Sequence, residues 1–316
     1  MHNQIHQTQS LCPHCLRRIP AQRIFVQDAV YLEKACPEHG NLGRVLLWKN
    51  HSKTYLDWNR PSRVAEKQDI GARHRADGCP YECGLCQNHQ QQTCTAILEV
   101  TLHCNLSCSI CFSASSGALP REPELSDIEK MLHSLWEMSG PCSLQLSGGE
   151  PTLRNDLPQI VSMARKIGFK HLQINTNGLR LAADPNYARA LKEAGVSVFF
   201  LQFDGVNDRV YQRIRGFDLL DIKIKAIEIC DTLKVGVILV PTLVKGINDD
   251  QIGSIIEFAK KCVPTVKGVH FQPMAYLGRY PKAPCNDDRM SLSDVLNAIE
   301  KQTGGELRVE NLVPAG

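Results

Sequence analysis

At 316 residues, 43% of them hydrophobic and 22% charged, the chain is long enough for a large catalytic body with smaller appendages. Its 36 Lys and Arg are scattered among 33 Asp and Glu, and a net charge of +3 is too mild to indicate nucleic acid or an acidic membrane surface as a partner. Fourteen cysteines in a long chain whose first ten residues are polar, without the apolar stretch of a secretory signal, point to metal or redox chemistry rather than a disulfide framework.

Residues 1–58 read as a small metal-stapled unit: a Cys12-Pro-His-Cys15 pair, strand-like runs at 23–27 and 30–33, then Cys36-Pro-Glu-His39. Too little apolar mass is present for this unit to fold unaided. Cys12, Cys15, Cys36 and His39 are therefore the expected ligands of a tetrahedral zinc or of a rubredoxin-like mononuclear iron. Residues 59–94 begin as a polar connector whose basic residues, Arg60, Arg63, Lys67, Arg73, His74 and Arg75, suit a solvated face. The connector ends in Cys79-Pro-Tyr-Glu-Cys83-Gly-Leu-Cys86, with Cys94 available to close a metal site and His89 next in line.

From residue 95 the texture changes. Strand-like runs at 96–101, 143–146, 171–175, 196–203, 235–240 and 268–272 alternate with helix-period segments. Leu157, Ile160, Val161 and Ala164 form one such stripe, and Ile252, Ile255, Ile256 and Ala259 another. Ser126 followed by Glu129 reads as a capping box opening the first helix. Six strands joined by helical crossovers predict an α/β fold with a parallel sheet and right-handed connections, rolled into a partial (β/α)6 TIM-like barrel over residues 95–280. Residues 281–316 carry a last amphipathic helix, with Leu292, Val295, Leu296 and Ile299 on one face and Gly304-Gly305 as its stop. The longest apolar runs, 196–201 and 235–240, are far below the roughly 20 residues a membrane span needs, so a soluble, cytoplasmic protein with no transmembrane segment is expected. The isolated Cys142, Cys230, Cys262 and Cys285 read as small buried apolar residues.

A barrel of this kind places its chemistry at the C-terminal ends of the strands. The unusual residues fall there: Cys104 after the first strand, Gly148-Gly149-Glu150-Pro151 after the second, Thr176-Asn177-Gly178 after the third and Asp204-Gly205 after the fourth. Cys104-Asn-Leu-Ser-Cys108-Ser-Ile-Cys111 offers three thiolates in eight residues, a spacing that lets one loop wrap an iron–sulfur cubane and leaves one iron open. His103, the immediate neighbour of Cys104, is badly placed to supply a fourth ligand.

Taken together, Cys104-x-x-x-Cys108-x-x-Cys111 and Gly148-Gly149-Glu150-Pro151 resemble the two signature elements of the radical S-adenosylmethionine (SAM) superfamily, over about residues 95–280. The resemblance implies a catalytic 4Fe-4S cluster on the three cysteines and a SAM methionyl amino group at the Gly-Gly-Glu-Pro element. It also implies Asn177, Gln202, Asp204 and Thr242 as neighbours of the SAM ribose or methionine. The implied reaction is reductive cleavage of SAM to a 5′-deoxyadenosyl radical, with a ferredoxin or flavodoxin as reductant. One departure is Ile110, where the family usually carries an aromatic residue near the adenine. Cys79, Cys83 and Cys86 have the catalytic spacing but precede the barrel, so with Cys94 they are read as an auxiliary 4Fe-4S cluster or a zinc site.

The N-terminal knuckle, the Cys-Pro-x-x-Cys-Gly-x-Cys run and the segment from His270 to Arg279 together resemble the branch that includes tetraether lipid synthase and a dihydropterin methyltransferase. Longer members of that branch continue into a further Cys-containing segment. The branch implies C-methylation or C–C coupling of a pterin-like small molecule or a lipid. Two other readings stand beside it: a radical SAM activase or maturase acting on a protein or peptide, and a non-catalytic zinc-ribbon module binding nucleic acid or protein.

Overall fold

The structure is a computed structural model that describes residues 5–49, 55–58, 93–115 and 122–314. The chain divides into two compact units, Met1–Gln91 with Pro284–Gly316, and Gln92–Ala283. Cys79, Cys83 and Cys86 lie outside the described residues, and Cys94 is exposed.

The first unit is built on an antiparallel meander of β1 (Ile5–Leu11), β2 (Arg18–Val26), β3 (Ala29–Cys36) and β4 (Gly40–Lys49). The two strand-like runs read from the sequence fall in β2 and β3. The first ten residues, read only as a polar opening, supply β1, which pairs along its whole length with β2 from Ile5↔Ile24 to Leu11↔Arg18. An edge strand with polar side chains on both faces gives no hydrophobic alternation, so its backbone pairing was invisible to periodicity.

The second unit carries six parallel strands, β5 (Thr95–Thr101), β6 (Ser143–Gly148), β7 (Leu172–Thr176), β8 (Val198–Gln202), β9 (Gly236–Val240) and, after the two-residue β10 (Thr242–Leu243), β11 (Val266–Val269). They lie side by side in chain order, and β10 pairs with a short β12 (Gln272–Pro273). Between them run α1 (Leu125–Ser139), α2 (Leu157–Ile167), α3 (Leu179–Ala183), α4 (Pro185–Ala194), α5 (Asp208–Arg215), α6 (Leu220–Leu233) and α7 (Ile252–Lys261). This singly wound parallel arrangement is the expected partial barrel. The apolar stripes of the helices, among them Ile128, Leu157, Ile160 and Ile255, close over Leu144, Leu146, Ile174, Leu201 and Leu239 in one continuous core.

The alternate strand residues face away from that core, and on β6 and β7 they are polar. Gln145 Nε2 donates to Asn175 Oδ1 at 2.6 Å, and Asn175 Nδ2 donates to Ser147 Oγ at 3.1 Å. Phe200, opposite Asn175 in the ladder, meets His270 edge to face with ring centroids 6.1 Å apart.

The capping box read at Ser126 and Glu129 does not form. Helix α1 starts at Leu125, with Glu124 as its N-cap and no side-chain cap, so Ser126 already lies inside the first turn. The last helix, α8 (Leu292–Gln302), does carry one: Ser291 N donates to Asp294 Oδ2 at 2.7 Å and Ser291 Oγ accepts from Asp294 N. This helix belongs to the first unit, where Leu296 and Val309 are buried with Val30 and Trp48. Lys49 N donates to Ser293 Oγ and Leu46 N to Asn286 Oδ1, so the open edge of β4 is covered. Among the described residues no helix is long and apolar enough to cross a membrane.

Candidate active site

The loop after β5 carries the three cysteines and is pinned from several sides. His103 N donates to Thr101 Oγ1 at 3.0 Å, and Ser109 N donates to the Ile214 carbonyl at 3.2 Å. Cys108 is buried with Leu106, Tyr211 and Leu219, and Cys104 and Cys111 pack against the same cluster. Cys111 exchanges two backbone hydrogen bonds with Arg279, at 2.9 and 2.8 Å, while the Arg279 guanidinium donates to the carbonyls of Cys108 and Ser115. A Cβ on Gly278, whose φ is +64°, would stand 2.2 Å from the Phe112 carbonyl oxygen. The run from His270 to Arg279 therefore has a physical role in bracing the cysteine loop, one its sequence resemblance left unassigned.

The thiols respond to this setting. Burial raises the Cys104 thiol, helped by the negative charge of Glu150 and of the other two cysteines. At Cys111 burial is outweighed by hydrogen bonds from Ser113 and Ser115 and by the Arg279 charge, which lower it. Three mutually interacting thiols on one braced loop, one of them already biased toward thiolate, suit an iron–sulfur cluster with three protein ligands.

The Gly-Gly-Glu-Pro element lies against that loop. Gly149 N donates to the Thr101 carbonyl and Glu150 N to the His103 carbonyl, both at 2.8 Å. An added Cβ would stand 1.9 Å from Thr101 O at Gly148, where φ is +133°, and 2.2 Å from His103 O at Gly149. Both glycines are thus required by the cysteine loop itself. Glu150 is 1% exposed. Its Oε1 accepts from Thr152 N, Thr152 Oγ1 and Thr176 Oγ1, and its Oε2 from Asn177 N at 2.6 Å, which fastens the end of β6 to the end of β7. Four donors come close to filling a carboxylate. Pro151 opens the short 3-10 turn that follows.

Of the other residues implied by the resemblance, Asn177 ties the β7 end to the cysteine loop, its Nδ2 donating to Asn105 Oδ1 at 2.7 Å. Asp204 is fully buried and grips Arg215 through two hydrogen bonds of 2.7 and 2.9 Å, while Thr242 N donates to its Oδ1 and Thr242 Oγ1 accepts from Arg215. Ile110 sits in an apolar cluster with Val210 and Ile214. Gln202 Oε1 accepts from Lys223 Nζ at 3.2 Å, and the same ammonium donates to the Asn177 carbonyl.

Lys223 and Arg215 were missed by sequence reasoning. A signal existed for Lys223, because it occupies the same stripe of α6 as the buried Ala226, Ile227, Cys230 and Leu233. Burial outweighs the opposing attraction of Asp204 and pulls its pKa from 10.5 down to about 8. Between those values the unfolded chain holds the proton and the folded one does not, so stability rises with pH across that window. Relative to Lys223→Met, the wild-type protein should gain about 3 kcal/mol between pH 8 and 10.5 in denaturant titrations; parallel pH profiles would show the ammonium to be unperturbed.

At one end of the N-terminal meander, Cys12, Cys15, Cys36 and His39 bring their ligand atoms within 4.8 Å of one another. The Cys15–Cys36 sulfur separation is 3.8 Å, and His39 Nδ1 lies 3.6 and 3.5 Å from the sulfurs of Cys12 and Cys36. Metal–sulfur arms of about 2.3 Å at the tetrahedral angle give edges of about 3.8 Å, so the set fits a Cys3His zinc site. Elemental analysis should find one zinc per chain that Cys36→Ser loses; retention of full zinc by that variant would count against these ligands.

Residues 98–259 match the Radical SAM superfamily model. This chain belongs to the radical SAM superfamily. Family membership sets aside the reading as a non-catalytic ribbon module, and it brings the family's 4Fe-4S cluster and SAM as cofactors. Residues 4–49 match the HMPTM N-terminal zinc ribbon domain model. Among curated radical SAM relatives, the 7,8-dihydro-6-hydroxymethylpterin dimethyltransferase of Methanocaldococcus jannaschii is 40% identical over 97% of this chain and 60% of its own length. A probable GTP 3',8-cyclase of Pyrococcus abyssi is 34% identical over 52% of each chain. This chain thus spans between half and two thirds of these relatives. Solved structures share the fold: Streptococcus suis SuiB bound to S-adenosylmethionine has a TM-score of 0.56 at 16% identity, covering 71% of this chain and 50% of that one. Native anSMEcpe with bound AdoMet has a TM-score of 0.52 at 20% identity, covering 68% and 64%.

Proposed function

We propose that this radical SAM protein transfers or couples carbon at an unactivated C–H position of a pterin-like small molecule, as a C-methyltransferase, using reducing equivalents from a ferredoxin or flavodoxin. The bound 4Fe-4S cluster and SAM supply a 5′-deoxyadenosyl radical on one-electron reduction. Cys104, Cys108 and Cys111 hold the cluster, with the Gly148–Pro151 element and Asn177 setting the surface beside it. Lys223 braces this edge of the site, its buried ammonium joining the ends of β7 and β8 through Asn177 and Gln202.

The observation that carries the substrate class is the amide-rich strip of Gln145, Ser147 and Asn175 on the sheet face turned from the helices, with Phe200 and His270 alongside. A flat heterocycle with ring nitrogens and an exocyclic amine finds donors, acceptors and ring faces there, whereas an alkyl chain could not use the donors and acceptors that the strip's own hydrogen bonds leave over. The 40% identical pterin dimethyltransferase supports the same choice over a lipid.

The test is anaerobic reconstitution with iron and sulfide, dithionite reduction, and quantification of 5′-deoxyadenosine with and without 7,8-dihydro-6-hydroxymethylpterin. A pterin-dependent rise in 5′-deoxyadenosine, formed as the radical takes a hydrogen atom from the pterin, is expected, and Asn175→Leu should cut that rise about 10- to 100-fold while pterin-independent SAM cleavage persists. Turnover of a glycerolipid or a peptide, with the pterin inert, would replace this reading by the lipid or activase one.

A further inference from the structure

Arg215, at the end of α5, is 6% exposed and makes a two-pronged ion pair with Asp204, which is 0% exposed. Its remaining donors are aimed at the cysteine loop and at β10: one terminal nitrogen donates to the Ile110 carbonyl at 3.3 Å, and the other to Thr242 Oγ1 at 3.1 Å. Ile110 lies between Cys108 and Cys111, so the guanidinium is hydrogen-bonded to the stretch of loop that joins two of the three cysteines. Asp204 is fixed in turn, its carboxylate accepting from Thr242 N at 3.0 Å and its carbonyl from Asn248 Nδ2 at 2.8 Å. The result is a rigid buried ion pair whose positive member is bonded to the cysteine loop at Ile110 and whose negative member is held by Thr242 and Asn248.

We propose that Arg215 is a positioning residue that sets the reduction potential of the cluster on Cys104, Cys108 and Cys111, with Asp204 as the counter-ion that aims it. This rests on the assignment of the cluster to those three cysteines. One-electron reduction adds a negative charge to the cluster. A fixed cation bonded to the loop that carries the ligating sulfurs stabilises the more negative state and raises the potential. Burial keeps solvent from screening the effect, and the planar fork holds the donor in one orientation, which a lysine ammonium could not reproduce. Lys223 and Tyr211 also feel the charges of the pair, but their side chains bond Asn177, Gln202 and Gly205 rather than the cysteine loop.

The experiment is an EPR-monitored redox titration of the SAM-responsive cluster in the reconstituted full-length chain, with iron content and melting temperature recorded for each variant. Asp204→Asn leaves the guanidinium uncompensated and should shift the midpoint potential upward. Arg215→Lys and the charge-neutral double change Asp204→Asn with Arg215→Gln should shift it downward. Opposed shifts in variants that retain four irons at this site support the proposal. Iron-loaded variants that all titrate at the wild-type potential overturn it, whatever their melting temperatures. Folded variants that uniformly fail to load iron overturn it too, reducing the pair to a scaffold for the loop. Loss of the cluster from the otherwise wild-type chain after Cys104→Ala is the separate control on its ligand assignment.

Discussion

Replacing Cys104, Cys108 and Cys111 together with alanine should abolish 5′-deoxyadenosine formation to the level of the dithionite-only control and remove about four irons per chain. The three thiols share one apolar cluster and one eight-residue loop. The backbone of the neighbouring His103 is held by Glu150 N and Thr101, so the loop stays anchored without the thiols. The fold should survive, because the core closing the helices onto the sheet does not include these side chains. Metal loading at Cys12, Cys15, Cys36 and His39 should be unaffected. Residual SAM cleavage in the triple variant, with its iron gone, would move the catalytic cluster to another set of cysteines.

Gly149→Ala is expected to be nearly as damaging to cluster loading while leaving every ligand in place. The new methyl group would stand 2.2 Å from the His103 carbonyl oxygen and 2.8 Å from that of Leu102, both backbone atoms that cannot swing aside. Relief requires the Gly-Gly-Glu segment to part from the cysteine loop, which breaks two backbone hydrogen bonds and disturbs the carboxylate bridge of Glu150. Overpacking and two lost bonds together suggest a cost of about 3 to 5 kcal/mol, read as a lowered denaturant midpoint along with reduced iron content. Gly246→Ala is the matched control. Its φ of +73° is also left-handed, but nothing lies within 4 Å of its added methyl group, so only about 1 kcal/mol should be lost. Equal behaviour of the two variants would show that close approach is not what the element is for.

The barrel was legible because each of its strands is a short apolar run followed by a helix-period stripe, so two independent periodicities agreed at every step. The site was legible where spacing alone defines chemistry, as at Cys104, Cys108 and Cys111 and at Cys12, Cys15, Cys36 and His39. Residues whose role depends on partners far away in sequence were not. Nothing local about Arg215 announces a fork onto Asp204, eleven positions earlier, and a bond to Ile110 more than a hundred positions away. Glu150 illustrates a further limit: the sequence motif suggested a ligand for a cation, whereas four protein donors crowd its carboxylate. Strand β1 was hidden because its polar side chains leave no hydrophobic alternation to read, whereas β4 carries an apolar run at Val45–Trp48 that sequence reasoning passed over.

The last stretch of chain, from Pro284 onward, is grouped with the N-terminal meander rather than with the barrel that precedes it. In topological terms the barrel is an insertion within the smaller unit. On the ribosome, β4 emerges with its backbone edge uncovered and with only Tyr55 and Trp58 soon available to Trp48, and the edge stays open through the synthesis of about two hundred further residues until Asn286 and Leu296 arrive. Metal capture at the far end of the meander can precede that event, so cysteine and histidine ligation would hold the early strands together while their apolar partner is still being made.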